Sequence, residues 1–163
     1  MCGSMGCGPI KRLAKLLGNT VESDCDITIV CGTNSKLQRQ LEKKYSGRQN
    51  IHVLGFVKNM SVLMDSADLY LTKPGGLSVT EASVKHLPMV YIDAVAGCEE
   101  YNRRYFVLMG SAKNGANIKE LAAVCLQLLS DDAKRSEMVE ILKSQDTANA
   151  SECIYSALKE LQK

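Results

Sequence analysis

An α/β domain built on a parallel sheet, with helices on both faces, is what this sequence predicts. Short apolar runs recur as DITIVC (26–31), IHVL (51–54), LYLT (69–72) and MVYID (89–93). Stretches with helical apolar spacing separate them. Each run is nearly continuous in apolar residues, as strands covered on both faces are. The class predicted is Rossmann-like.

Taken in order, Pro9 opens a helix whose Ile10, Leu13, Ala14 and Leu17 share one face, closed at Gly18-Asn19. Strand 26–31 ends at Gly32, and Asn34 can cap the next helix. There Leu37, Leu41 and Tyr45 form the apolar face, with Lys36, Arg39, Lys43 and Lys44 solvated. Strand 51–54 ends at Gly55, and a short helix covers about 59–66. Strand 69–72 is broken by Lys73-Pro74-Gly75-Gly76, a helix runs from about 77 to 85, and strand 89–93 follows Pro88. Residues 99–109 read as helix. From about 117 the chain reads as a helical tail: Ile118, Leu121, Ala122, Cys125, Leu128 and Leu129 trace one stripe, and Ile154, Ala157, Leu158 and Leu161 another.

At 163 residues the chain suits one domain. Lys and Arg number 20 against 18 Asp and Glu, far from the dense basic face of a nucleic-acid reader. Aromatics are only 5 %, which disfavours a base-stacking sheet. No apolar run approaches the ~20 residues that span a bilayer, and the first residues do not read as a signal peptide. The seven cysteines include no CxxC, and His52 and His86 stand apart. Reduced thiols used as small apolar residues fit this pattern better than a zinc site or a disulfide framework. No metal site is expected.

One feature of the order is unusual. In folds of this class a glycine-rich loop follows a strand that aims it at the ligand. Here CGSMGCG occupies residues 2–8 with only Met1 before it. A preceding strand is therefore expected, making the sequence the C-terminal part of a longer protein. An exposed sheet edge and a possible homodimer through it follow from the same expectation.

Ligands of open α/β sheets bind beyond the carboxyl ends of the strands. The loops there are 2–8, 32–34, 55–59, 73–76 and 94–100. Glycine lets backbone N–H groups approach a ligand, and a helix start adds about half a positive charge, so glycines at helix starts suit phosphate. Gly3, Gly6 and Gly8 read GxxGxG, neither a dinucleotide fingerprint nor a P-loop, and a ligand-free turn explains that loop equally well alone. Gly75-Gly76 is a second such loop, and the pair favours a diphosphate. Ser78-Val79-Thr80-Glu81 fits a capping box; the competing role for Glu81 is to accept hydrogen bonds from ribose hydroxyls. Glu99, Glu100 and Asn102 suit either a solvated first helical turn or a grip on sugar hydroxyls.

CGSMGCGP, VCGTN, GFVKNM, LTKPGGLSVTEA and AGCEEYN stand in an order and spacing that resemble the C-terminal, donor-binding domain of GT-B glycosyltransferases. The resemblance is nearest to the diacylglycerol sugar transferases, of the monogalactosyldiacylglycerol synthase and processive diacylglycerol glucosyltransferase types. The lipid-II-forming N-acetylglucosaminyltransferase is more distantly similar. It covers roughly residues 2–110. It implies that Gly3, Ser4 and Gly6 face a UDP diphosphate with Asn34 beside them, and that Phe56 and Val57 hold the uracil edge near Met60. It also implies that Gly75, Gly76 and Leu77 donate N–H groups to phosphate and that Glu81 binds the ribose. Cys98, Glu99, Glu100 and Asn102 would meet the transferred sugar.

The family's Pro and Gln in the last segment are Ala96 and Cys98 here, so one amide that grips the sugar is absent. UDP-glucose is the first donor expected and UDP-galactose the second. The resemblance implies an inverting enzyme needing no cofactor and no metal for donor binding. Its acceptor domain, general base and lipid acceptor would lie outside this chain, at the cytoplasmic face of a membrane. No catalytic residue is assigned within the chain. Two other readings share the architecture: a stand-alone donor-binding subunit of a two-chain transferase, and half of a non-hydrolysing UDP-sugar epimerase. A Rossmann dehydrogenase fits least, lacking GxGxxG and its acidic partner.

Overall fold

Among the described residues five short strands alternate with helices before the chain turns helical. The order is α1 (Ile10–Thr20), β1 (Ile27–Val30), α2 (Ser35–Tyr45), β2 (Ile51–Leu54), α3 (Met60–Asp65), β3 (Tyr70–Thr72) and α4 (Gly76–Val84). Then come β4 (Met89–Tyr91), α5 (Cys98–Leu108), β5 (Ala112–Asn114), α6 (Ile118–Ser130), α7 (Asp132–Ser144) and α8 (Ala150–Leu161). The structure is a computed structural model and describes residues 1–163 apart from 2, 4, 5, 7, 22–23, 93–96, 146–148 and 162–163.

Every strand pair is parallel. β1 pairs with β2 from Ile27↔Ile51 to Val30↔Leu54. β4 lies between β3 and β5, with Tyr70↔Met89 and Met89↔Ala112 in register. Among the described residues these form two separate sheets, β1-β2 and β3-β4-β5. Side chains on β4 alternate between two cores. Val90 joins Leu13, Leu17, Ile29, Leu41, Leu121 and Cys125, whereas Met89 and Tyr91 join Met64, Val79, Ala82, Phe106 and Leu142. Successive strand residues face opposite ways, so the two clusters are the two covered faces of an α/β layer, as expected.

Helix boundaries follow local chemistry. Pro9 stands at the N-cap of α1, whose Ile10, Leu13, Ala14 and Leu17 are buried. Asn34 Oδ1 accepts the Leu37 N–H at 3.0 Å and caps α2. Asn117 caps α6 through Lys119 and Glu120, and the α6 stripe of Leu121, Ala122, Cys125 and Leu128 is buried against α1 and β4.

Two elements were not in the expectation. β5 is three residues, Ala-Lys-Asn, with only Ala112 buried, and it forms by pairing with β4. α7 is polar on most of its surface; Asp131 caps it through the Lys134 N–H at 3.0 Å, and Met138 and Leu142 anchor it. α8 buries no residue among those described. Cys31 and Cys125 are buried free thiols, and burial pushes Cys125 up to about 12, which suits their use as apolar residues.

Candidate functional site

Parallel pairing puts the carboxyl ends of the strands of each sheet on one edge. The first glycine loop is fastened there by its own backbone. Gly6 donates its N–H to the Gly3 carbonyl at 3.2 Å, and Asn34 Nδ2 donates to the Gly6 carbonyl at 3.4 Å. Gly6 has φ +56, and a Cβ would overlap the Cys31 carbonyl at the end of β1. Only glycine fits this close approach. Asn34 therefore spends both side-chain ends on protein, capping α2 and holding the loop, and acts as a positioning residue here. Ser4 lies outside the described residues.

The second cluster joins the loop after β3 to the start of α5. Gly75 is the N-cap of α4 and has no side chain with which to cap it. The N–H groups of Gly76, Leu77 and Ser78 lie in its first turn, where N–H groups lack intrahelical partners; Gly76 and Leu77 are exposed, Leu77 at 83 %. Asn102 Nδ2 donates to the Pro74 carbonyl at 2.9 Å, and a Cβ on Gly75 would stand 3.8 Å from Glu99 Oε1. The residues expected to meet phosphate and sugar are thus neighbours across this joint. α5 also begins on a glycine without a side-chain cap, Gly97 at φ +97, followed by exposed Cys98 and half-buried Glu99 and Glu100.

Glu100 turns to Arg103, whose Nη2 donates to Oε1 at 2.6 Å. That hydrogen bond holds the Glu100 carboxyl below the usual range. The pair lines a cavity of 510 Å³ with Pro9, Ile92, Asn114 and Asn117, which brings the end of the first glycine loop and the start of α5 to one space. Arg103 was missed from the sequence, although its i, i+3 spacing from Glu100 is the signal for such a pair. A larger cavity, of 1210 Å³, lies away from this edge between β1 and β3.

The capping-box alternative for Glu81 is not realised. α4 starts at Gly76, so Ser78 lies inside the helix and cannot be its cap. Thr80 bonds back to the Gly76 carbonyl at 2.9 Å, and the exposed Glu81 carboxylate has no hydrogen-bond or ionic partner among the described residues. At the end of β2, Gly55 packs on Gln38 of α2, Phe56 is 63 % exposed, and Val57 is half-buried. Met60 begins α3 and packs on the second core. Among the described residues no group of three or more His, Cys, Asp or Glu side chains could hold a metal ion, and no helix is long and apolar enough to cross a membrane.

The chain is 27 % identical over 139 residues to the processive diacylglycerol beta-glucosyltransferase of Staphylococcus aureus strain MRSA252, and equally to that of strain Newman. The alignment covers 85 % of this chain and 36 % of either relative, so the chain spans about a third of the length of those proteins. In three dimensions it resembles MurG of Acinetobacter baumannii, with a TM-score of 0.75 at 17 % identity over 98 % of this chain and 48 % of that one. A Listeria monocytogenes protein assigned as a UDP-N-acetylglucosamine 2-epimerase gives 0.73 at 17 % identity, over 92 % of this chain and 39 % of that one. Such distant likeness establishes the fold, a Rossmann-like half of the GT-B kind, and leaves the reaction open. The family Glycosyl transferases group 1 matches residues 10–145, from the first residue of α1 to the end of α7. The chain belongs to the glycosyl transferases of group 1.

Proposed function

We propose that this chain is the donor-binding part of an inverting glycosyltransferase that moves a hexose from UDP to a lipid such as diacylglycerol. The joint between residues 74–77 and the start of α5 supports this reading most directly. It sets the first-turn N–H groups of α4, suited to a diphosphate, beside Glu99 and Asn102, suited to sugar hydroxyls. The S. aureus relatives are named for glucosyl transfer to diacylglycerol, which favours UDP-glucose ahead of UDP-galactose.

The chemistry this arrangement offers is electrostatic. As the bond from sugar to diphosphate breaks, negative charge grows on the departing UDP. N–H groups at the start of α4 stabilise that charge without reorganising. No metal or cofactor is needed for this role. The acceptor-binding domain and the general base belong to the remainder of the enzyme, which would work at the cytoplasmic face of a membrane.

Calorimetry with UDP tests the reading, and Glu81 supplies the internal control. Residues 1–163 should bind UDP saturably. Glu81→Gln keeps the side chain's size and removes its charge, and should weaken binding by about 10- to 100-fold, the range of charge-assisted hydrogen bonds. Its melting temperature without ligand should barely move, because no side-chain partner is lost. A variant that binds UDP normally removes Glu81 from the site, and no binding by either protein rejects the donor role.

A further inference from the structure

Charge is nearly balanced over the whole chain, at +2, but it is not evenly spread. α1 carries Lys11, Arg12 and Lys15, and α2 carries Lys36, Arg39, Lys43 and Lys44. Against these seven stands one acid, Glu42. The two helices thus hold +6 and the rest of the chain −4.

These charges share one face. Both helices pack on the first core, α1 through Leu13 and Leu17 and α2 through Leu41 and Tyr45. They meet side by side: Lys11 Nζ donates to Gln40 Oε1 at 3.1 Å, and a Cβ on Gly18 would stand 3.4 Å from the Tyr45 ring. Helical spacing turns the seven basic residues away from that core, and all are exposed. Glu42 lies across α2 from Gln40, on the flank where Gln38 Nε2 donates to it at 2.8 Å and Gln38 packs on Gly55.

No counter-charge answers this face. Among the described residues none of the seven joins an ion pair, whereas Lys85, Arg103, Lys134, Arg135 and Lys143 each pair with a carboxylate. Like charges gathered without counter-charges repel, a cost that an anionic partner offsets. Five of the seven are Lys, a hydrated point charge on a flexible stem, where stereospecific phosphate recognition draws on Arg. Neither helix exposes an aromatic side chain on which a base could stack, because their one aromatic, Tyr45, is buried. A diffuse layer of anionic headgroups suits such a face, and clusters of about four to eight basic residues serve that purpose.

We propose that the α1–α2 face docks this chain on an anionic lipid bilayer. Such docking has a use only where the acceptor is a lipid, as proposed above. α1 starts after Pro9 and α2 after Asn34, residues that adjoin the first glycine loop. The docked face therefore borders the edge where the donor is expected, and that edge lies at the rim of the contact with the bilayer.

The test is sedimentation with vesicles of phosphatidylcholine containing about a third phosphatidylglycerol, against phosphatidylcholine alone. The chain should sediment with the anionic vesicles at ~0.1 M salt and be released at ~1 M, where the Debye length is about 3 Å. Lys15→Gln, Lys36→Gln and Lys43→Gln together should weaken binding by about 100-fold. Lys113→Gln, Lys119→Gln and Lys159→Gln change the net charge equally but lie off the face, and together should weaken it by less than about 3-fold. All six side chains are exposed and hold no side-chain bond among the described residues, so both variants should melt like the parent. Equal losses in the two variants, or equal binding to both kinds of vesicle, overturns the proposal. Displacement from the vesicles by a single-stranded RNA oligomer at equal phosphate overturns it too, and assigns the face to nucleic acid. Calorimetry with UDP on the same sample reads the donor role separately: UDP binding without vesicle binding overturns the docking alone.

Discussion

Gly6 is where the first glycine loop touches the sheet, in left-handed backbone and against the Cys31 carbonyl. Alanine there meets two costs at once, the positive φ and the overlap. Gly6→Ala should lower stability by about 2–4 kcal/mol, read as a shift in urea midpoint at constant slope, and an unchanged midpoint would show the loop to be free of the sheet. Gly3, whose Cβ would meet nothing within 4 Å, is the contrasting position. Cys98 poses a question of chemistry instead of fit. It is exposed at the third position of the AGCEEYN segment, beside Glu99. If it stands where an amide grips the sugar, Cys98→Gln in the full-length enzyme should shift the preference between UDP-glucose and UDP-galactose by about 2- to 10-fold, the worth of one hydrogen bond. An unchanged ratio of kcat/KM values places the residue away from the sugar.

At the scale of elements, the joint between α5 and the loop after β3 rests on one named hydrogen bond, from Asn102 to the Pro74 carbonyl. Asn102→Leu keeps the volume and removes the donor. The joint should loosen without unfolding α5, which keeps Phe106 in the second core. Affinity for a UDP-hexose should then fall by about 5- to 10-fold, while affinity for UDP alone, which needs less of α5, changes little. Equal losses for both ligands would mean that Asn102 serves the nucleotide. The two elements absent from the sequence expectation have a shared physical cause. β5 carries no apolar run and forms because β4 offers it an edge, and α7 has too narrow an apolar stripe to announce itself, its start being set by the Asp131 cap.

For the whole molecule, UDP should act as a staple. The expected contacts reach from residue 3 to residue 102 and so tie both sheets to one ligand. At UDP about 100-fold above its dissociation constant, mass action adds ~2.7 kcal/mol. For a domain of this size that raises the melting temperature by roughly 5–11 °C. Differential scanning fluorimetry across a UDP titration reads it, and a melting temperature that ignores UDP would contradict the donor role. The cavity between β1 and β3 belongs to this scale as well, because the two sheets share the first core yet make no ladder with each other among the described residues.

Much was legible in the sequence because the relevant physics is local. Four of the strands, the helix opened by Pro9, the Asn34 cap and the buried α6 stripe follow from apolar spacing and capping chemistry within a few residues. The glycines at 6 and 75 were legible for the same reason, as were the acidic residues opening α5. Tertiary structure decided what depends on distant partners. It ended the capping-box reading of Glu81 by starting α4 at Gly76, and it turned Asn34 into a brace for a loop 28 residues away. It drew Glu99 to Gly75 and paired Glu100 with Arg103 over a cavity shared with Pro9. It also left a cavity between β1 and β3, with no ladder joining the two sheets among the described residues. Periodicity reports which face a residue turns to the core. Which backbone edge finds a partner is settled only when strands far apart in the chain come side by side.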